Sequence, residues 1–293
     1  MKNIALTYYD IGASLYVPSI NKSLIEIVNK EKFPNLKSVI ICFEDSILDS
    51  QVEEAEENLR DILENIQIDR TSIFIRPRNF LQFQRLLEFR KINSIDGFVI
   101  AKFDTNNIKD YLPYFSDDFY FMPVIETTDI FDFSKLVEIR DQLLPFLDSI
   151  LSIRIGSEDI GKILKIKRGC EQTIYEIPIF VTAITNVISA FKPHQFNITA
   201  PIFSCYTDAY ILKKEVEIDV QNGLLGKALI HPAQIDVVSE IYKITKSELE
   251  EARETLKVGC SAIVGLNGKM IEKITHKEWA EEIIMRSLTY GIK

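Results

Sequence analysis

Histidine, cysteine and long hydrophobic runs are scarce or missing in this chain. It has three histidines and four cysteines, and the cysteines form neither a CxxC pair nor a metal-ligand spacing with the histidines. No stretch reaches the roughly 18 apolar residues of a membrane span. Asp10 interrupts the N-terminal segment where a secretory signal needs an unbroken apolar region. We therefore predict a cytoplasmic protein with no membrane partner, and reduced structural thiols at Cys42, Cys170, Cys205 and Cys260.

Positive charge is also in deficit. The chain carries 34 Lys and Arg against 43 Asp and Glu, a formal net charge of -9 at pH 7. Sequence-independent binding of nucleic acid needs a basic field over much of one face. We therefore predict no nucleic-acid partner, and any phosphate binding must be local.

Short apolar runs alternate with longer segments of helical period along most of the chain, which is typical of repeated βα units. Residues 52–66, for example, place apolar side chains at helical spacing with acids on the other face. Eight such units favour an α/β fold, a closed (β/α)8 TIM barrel, with an open doubly wound sheet as the alternative. The predicted strands are Ser14–Pro18, Ser38–Phe43, Ser72–Arg76, Gly97–Lys102, Phe119–Ile125, Ser149–Ile155, Phe196–Phe203 and Lys227–His231.

The last part of the chain has a different pattern. Ser247 and Glu250 predict a capping box ahead of a helix. Residues 262–271 predict a hairpin with a turn at Asn267 and Gly268, and residues 276–288 predict a further helix. We therefore divide the chain into a barrel domain, residues 1–245, and a C-terminal helical and hairpin extension, residues 246–293.

Polar residues follow the predicted strands, where the catalytic groups of such barrels collect. Two of these strands end in acids, Glu126 after one and Glu158 and Asp159 after another. Carboxylate oxygens at two strand ends suggest one site for a hard divalent cation. The other polar residues at strand ends are Glu44, Asp45, Arg76, Arg78, Lys102 and His231.

Seven segments in order carry a family resemblance. They are LYVPSI, ICFEDSI, FIRPRN, DGFVIAKFD, PVIETTDIF, IRIGSEDI and GLLGKALIHPAQI. Together they resemble the citrate lyase beta-subunit-like family, which includes malyl-CoA lyases, with this chain as a divergent member. The later LNGKMI segment is similar to the hairpin that closes the family's sequences.

The resemblance implies a magnesium-dependent enzyme, with Mn2+ as an alternative ion. Such an enzyme makes or breaks a carbon–carbon bond between a short 2-oxo acid and an acyl thioester of CoA or a carrier protein. It implies that Glu126 and Asp159 are metal ligands and that Arg76 binds the substrate carboxylate. Glu44 and Asp45 match a supporting pair that orients Arg76 or a metal-bound water.

The resemblance further implies a homotrimer or larger ring, in which residues 246–293 act as a lid or oligomerisation extension.

Departures from the family pattern leave the substrate open. The family's strand-two aspartate is replaced by Phe43 or Cys42, depending on register. The segment IRPRN allows either Arg76 or Arg78 to face the substrate, and Ala101 stands at a family proline. Two alternatives to a thioester lyase follow: a CoA-independent aldolase for free hydroxy-oxo acids, and a non-catalytic ligand-binding barrel in a stress-response or biosynthetic cluster.

Several of these residues also have structural interpretations. Ser157 or Asp159 could cap the helix that follows, and the pair at 44–45 could begin a helix. Lys102 is interpreted as structural or electrostatic, and His231 as a hydrogen-bonded structural histidine. The basic run Lys162, Lys165, Lys167 and Arg168 fits either CoA phosphates or a solvated helix face.

Overall fold

The computed structural model describes residues 6–115, 118–259, 261–266 and 268–293. The chain divides into two compact units, one ending at Ile235 and one beginning at Asp236. The proposed roles of residues 1–245 and 246–293 stay predictions. No helix among the described residues is both long and apolar enough to cross a membrane.

All eight predicted strands are present in the first unit. They are β1 Ser14–Pro18, β2 Ser38–Cys42, β3 Ser72–Arg76, β4 Gly97–Ile100, β5 Tyr120–Ile125, β6 Ile153–Ile155, β7 Ile198–Thr199 and β8 Ala228–Leu229. Residues of β2, β4 and β5 are buried throughout, as expected for parallel strands that are covered on both sides.

The strands form one parallel sheet that closes on itself almost completely. Its order is β7-β6-β5-β4-β3-β2-β1-β8, so that β1 pairs with both β2 and β8. Between β7 and β8, Thr199 bridges Leu225, and the amide of Ala200 donates to the Leu225 carbonyl at 3.3 Å. The predicted TIM barrel is confirmed, and the open doubly wound sheet is excluded.

Among the described residues, eight α-helices lie between the barrel strands and three follow β8. They are α1 Leu24–Val28, α2 Val52–Asn65, α3 Phe80–Leu87, α4 Ile108–Tyr111, α5 Phe133–Leu143, α6 Ser157–Leu164, α7 Pro178–Phe191, α8 Ala209–Gln221, α9 Ile235–Tyr242, α10 Lys246–Leu256 and α11 Lys277–Tyr290. In α2 the residues Leu59, Ile62 and Leu63 are buried while Glu53 and Glu54 are exposed. This is the amphipathic face that the sequence predicted.

Aromatic side chains fill much of the layer between α3, α4 and the sheet. Phe83 packs edge-on against Phe98 of β4, with ring centroids 4.9 Å apart. Phe121 of β5 stacks on Phe115 at 4.3 Å. These rings join helix and strand layers without any buried polar atom that needs a partner.

The C-terminal unit has its own small core, formed by Ile244, Leu249, Ala252, Ala280 and Ile283. Its strands, β9 Ile263–Leu266 and β10 Lys269–Glu272, pair antiparallel and confirm the predicted hairpin. The predicted turn residue Asn267 lies outside the described residues, whereas Gly268 has a φ of +76°. The predicted helix at residues 276–288 is present as α11.

The predicted capping box at Ser247 and Glu250 is wrong. The box is formed two residues earlier, where the Thr245 hydroxyl accepts from the Glu248 amide at 3.2 Å. The Glu248 carboxylate in turn accepts from the Thr245 amide at 2.8 Å. Thr245 has extended backbone torsions and so can serve as the residue before the helix, whereas Ser247 already lies inside α10.

The prediction of reduced thiols is wrong for two cysteines. Cys170 and Cys205 form a disulfide with their Cα atoms 5.6 Å apart. One follows α6 and the other follows β7, and these loops emerge at the same end of the barrel from neighbouring units. Cys42 is a free, buried thiol, and Cys260 lies outside the described residues.

A fully buried charge cluster fastens α8 to β8. The Nζ of Lys227 lies 2.7 Å from Glu215 and 2.9 Å from Asp219, and all three side chains are inaccessible to solvent. Arg168 also pairs with Glu215, at 2.6 Å, and Tyr175 donates to Asp219 at 2.5 Å. Burial raises the pKa of Asp219 to about 6, although Lys227 opposes this shift.

Replacing Lys227 with methionine should strongly destabilise the barrel, because two buried carboxylates would lose their shared cation. We expect the free energy of unfolding, measured by urea denaturation at pH 7, to fall by about 3–5 kcal/mol. Lys213→Met is the matched control, since Lys213 forms an exposed pair with Glu217 at 3.9 Å and should change stability by less than about 1 kcal/mol. Equal effects of the two substitutions would contradict this interpretation of the cluster.

Candidate active site

A cavity of about 190 Å³ lies at the carboxyl ends of the strands. This volume corresponds to roughly six water molecules at about 30 Å³ each. Its lining includes Tyr16, Asp45, Arg76, Glu126, Ala228 and the segment 154–159. With Ile202, which follows β7, seven of the eight strands or the loops after them contribute to one small polar space.

Glu126 is the most buried carboxylate of this cavity, with 3% of the residue exposed. Its Oε1 accepts a hydrogen bond from the Lys102 amide at 2.8 Å and lies 3.5 Å from Arg76 Nη2. Burial raises the pKa of Glu126 to about 7; Arg76 opposes the shift, and the negative charge of Asp159 adds to it. Glu126 is therefore poised to exchange a proton for a cation near neutral pH.

Gly156 makes room for that carboxylate. A Cβ atom at this position would lie 1.9 Å from Glu126 Oε2 and 2.6 Å from Glu126 Cβ. Such contacts are far inside van der Waals distance, so only glycine allows β6 to pass so close to Glu126. Gly156 thus has a steric role just before the acids at positions 158 and 159.

Asp159 lies in the first turn of α6 and faces the same cavity. Its Oδ1 is 3.9 Å from Lys102 Nζ, and its side chain is 17% exposed. Gly156 is the residue before the helix, and no side chain caps it. Neither Ser157 nor Asp159 therefore caps this helix. The buried Ser157 hydroxyl has no hydrogen-bond partner among the described residues.

Arg76 joins two of the carboxylates. Its guanidinium forms an ion pair with Glu44, lies 3.5 Å from Glu126 and 3.7 Å from Asp45, and approaches the Tyr16 ring at 5.6 Å. Burial disfavours its charge, but Tyr16, Glu126 and the other neighbours raise its pKa, so that Arg76 stays protonated. A fixed, permanently charged fork in this position suits a substrate carboxylate.

Arg78 has a different environment. Its Nη1 donates to the carbonyl oxygens of Phe43 and Ile47, each at 3.0 Å, and its Nη2 pairs with Asp49. Arg78 holds the loop after β2 in place, and it is absent from the cavity lining. Of the two arginines predicted for substrate binding, the geometry places Arg76 in the cavity.

Glu44 and Asp45 do not begin a helix, since the first helical turn after β2 starts at Asp49. Glu44 pairs with both Arg76 and Lys102, and burial raises its pKa against the effect of Arg76. Asp45 is largely exposed and lies 3.7 Å from each of the same two cations. Both acids therefore lie beside Arg76, and their supporting role stays a prediction.

Lys102 contacts the site through both its backbone and its side chain. It has a left-handed φ of 51°, which directs its amide towards Glu126. Its ammonium forms an ion pair with Glu44. Burial would lower the pKa of Lys102, but the hydrogen bond to Glu44 and the nearby acids raise it. A lysine held in its charged form is a poor nucleophile, which fits the predicted electrostatic role.

Tyr16 and Arg154 belong to the cavity but were not identified from the sequence. Arg154 is 2% exposed, and its guanidinium lies 5.7 Å from the Tyr16 ring. Arg154 could have been identified from its position between two isoleucines of a predicted buried strand, because charged residues are rarely buried without a partner.

Two other candidates have structural roles. His231 Nδ1 accepts from the Ala233 amide at 3.2 Å, and its ring stacks on Tyr206 at 4.3 Å. Arg168 of the basic run is occupied by Glu215 in the buried cluster, with its Nη2 donating to the Ile202 carbonyl at 2.8 Å. It therefore does not offer its charge to a phosphate.

The donor set fits one hard divalent cation. Glu126 and Asp159 supply carboxylate oxygens to the same cavity; burial raises the pKa of Glu126, the charge of Asp159 adds to this shift, and a bound cation would oppose both effects. Among the described residues no group of three or more His, Cys, Asp or Glu side chains could hold a metal. A cation bound here would therefore use two protein carboxylates and leave several coordination positions open.

A family model for C-C bond lyases of the TIM-barrel fold matches residues 5–292. The chain belongs to this family. The citrate lyase beta-like resemblance seen in the sequence is thereby confirmed, and the family is one of carbon–carbon bond lyases.

Curated relatives match more locally. The citrate lyase beta subunit of Haemophilus influenzae is 28% identical over 132 residues, covering 42% of this chain and 43% of that protein. A (3S)-malyl-CoA thioesterase of Cereibacter sphaeroides is 25% identical over 99 residues, covering 32% and 35%. The match thus spans less than half the length of either relative.

Solved structures share the fold of this C–C bond lyase family member. CitE from Mycobacterium tuberculosis, in complex with magnesium, acetoacetate and coenzyme A, superposes with a TM-score of 0.70 at 18% identity, covering 94% of this chain and 97% of that one. The citrate lyase beta subunit complexed with oxaloacetate and magnesium, from the same organism, gives a TM-score of 0.62 at 17% identity, covering 80% and 99%.

The close approach at Gly156 can be tested with alanine. The added methyl group should displace the Glu126 carboxylate and weaken Mg2+ binding, measured by titration calorimetry, by about 10- to 100-fold. Gly265→Ala is the control, because no atom lies within 4 Å of the Cβ it would add. Unchanged Mg2+ affinity in Gly156→Ala would show that Glu126 is not held against this turn.

Mg2+ affinity should depend on pH through Glu126. Below the raised pKa of about 7 the ion must displace a proton, so affinity should rise by about tenfold per pH unit towards pH 7 and then level off. Calorimetry in buffers of different ionisation enthalpy should detect about one proton released per ion at pH 6. Glu126→Gln should bind weakly without this dependence; a flat profile for the unsubstituted protein would contradict the assignment.

Proposed function

We propose that this protein is a Mg2+-dependent carbon–carbon bond lyase or synthase acting on a short 2-oxo acid and an acyl thioester. The observation that carries the proposal is the meeting of Arg76, Glu126 and Asp159 in one cavity of about 190 Å³ at the carboxyl ends of the strands. Membership of the C–C bond lyase family supports the reaction class.

Each residue has a role that follows from its environment. Glu126 and Asp159 would hold the cation, which when bound supplies a Lewis acid for the carboxylate and keto oxygens of the oxo acid. Arg76 binds the substrate carboxylate, which it can approach because its charge is fixed and its Nε has no hydrogen-bond partner among the described residues. Glu44, which pairs with both Arg76 and Lys102, holds these two side chains in position at the cavity mouth.

The size of the cavity bears on the substrate. A volume near 190 Å³ accommodates a small organic acid and is below the range of about 300–1,000 Å³ for drug-sized ligands. A CoA or carrier-protein handle must therefore lie outside it, with only the reacting acyl end entering. The CitE structure that shares this fold is a complex with both magnesium and coenzyme A.

The function can be tested by incubating the purified protein with Mg2+ and a panel of thioesters of 3-hydroxy acids that carry a carboxylate on the hydroxyl-bearing carbon, and following release of the 2-oxo acid. We expect turnover that needs both Mg2+ and the thioester. Free 4-hydroxy-2-oxo acids, without a thioester, form the parallel arm, and turnover there would favour the CoA-independent aldolase instead. No turnover in either arm, together with no binding of Mg2+ or 2-oxo acids in calorimetry, would overturn the proposal.

Arg76→Lys should lower kcat/KM for the active substrate by about 10- to 100-fold, because an ammonium cannot form the two parallel hydrogen bonds of the guanidinium. Arg85→Lys is the control, since Arg85 pairs with Glu56 on α2 and is about half exposed. Its kinetics should match those of the unsubstituted protein. If Arg76→Lys has the same kcat/KM as the unsubstituted protein, Arg76 does not bind the substrate carboxylate.

A further inference from the structure

Arg154 is a buried cation without an anionic partner among the described residues. It is the middle residue of β6 and is 2% exposed. Among the residues that the structure describes, its Nη1 contacts only the weakly accepting Met122 sulfur, at 3.6 Å, and its Nη2 has no hydrogen-bond partner. A buried guanidinium is strongly disfavoured unless an anion neutralises it.

Arg154 is also part of the cavity lining. It differs from Arg76, which faces the same Tyr16 ring but already pairs with Glu44 and Glu126. Arg154 lies two residues before Gly156, which corresponds to about 7 Å along the strand towards the barrel interior. The cavity thus has carboxylates and Arg76 at its mouth and an unneutralised positive charge deeper in.

We propose that Arg154 is a specificity-determining residue that binds a second anionic group of the substrate. Resting on the proposed function, this narrows the substrate class to 2-oxo acids that carry a further carboxylate. The first carboxylate and the keto oxygen lie at the mouth, near Arg76, Glu126 and Asp159. The second carboxylate points into the barrel and neutralises Arg154.

The test compares two acids of the same shape. Oxaloacetate and 4-methyl-2-oxopentanoate have the same heavy-atom skeleton, but an uncharged isopropyl end replaces the second carboxylate in the latter. With the Mg2+-loaded full chain, calorimetry should show tighter binding of oxaloacetate. Arg154→Met should weaken oxaloacetate binding by about 10- to 100-fold, the usual range for a charge-assisted hydrogen bond. Its affinity for 4-methyl-2-oxopentanoate should stay within about threefold of that of the unsubstituted protein. Arg154→Lys should lie between the two.

Thermal unfolding of the ligand-free protein separates this role from a structural one. Arg154→Met removes an unpaired buried charge and replaces it with a flexible apolar chain, so its Tm should equal or exceed that of the unsubstituted protein. A lower Tm with equal weakening of both acids would overturn the inference in favour of a structural arginine.

The outcomes also separate this inference from the proposed function. If the unsubstituted protein binds both acids equally well with Mg2+, only the role of Arg154 is overturned. If it binds neither acid, the inference is overturned; the proposed function is overturned with it only if turnover and binding of Mg2+ and of other 2-oxo acids are also absent.

Discussion

The charge cluster around Arg76 is the interaction on which the rest of the candidate site depends. This guanidinium connects the loop after β2, through Glu44, with the end of β5, through Glu126. Both partners are nearly buried, so water cannot replace the contacts at little cost. The cluster therefore fixes three strand ends relative to one another and aligns the acids that face the cavity.

The closed sheet explains why so few residues build the site. Because β1 pairs on both sides, with β2 and with β8, all carboxyl ends point to one mouth. Each strand then needs to contribute only one or two polar side chains at its end. Arg154, in the middle of β6, is a buried charged residue that also lines the cavity.

Much of the fold and part of the site follow from local sequence signals. Strands such as β2 were predictable because every residue in SVIIC is apolar or small and flanked by polar turns. The convergence of Glu126 and Asp159 followed from their positions after two strands, since parallel strands end at one edge. Both predictions use only the pattern of apolar and polar residues and the common direction of the parallel strands.

Features that depend on distant pairing were not predictable in the same way. Cys170 and Cys205 are separated by 35 residues, and only the geometry of neighbouring loops brings them together. The burial of Lys227 depends on two acids from α8 that no motif links to it. The capping box was mispredicted for a local reason. Thr245 and Ser247 each have a hydroxyl and a glutamate three residues later, and the backbone torsion angles decide which of them caps the helix.

Residue 102 performs two tasks through different atoms. Its main-chain amide aligns Glu126, whereas its side chain neutralises Glu44. The first task is independent of which amino acid stands there, provided that it tolerates a left-handed φ. A different side chain at this position would therefore change the charge at the cavity mouth, while Glu126 keeps its orientation.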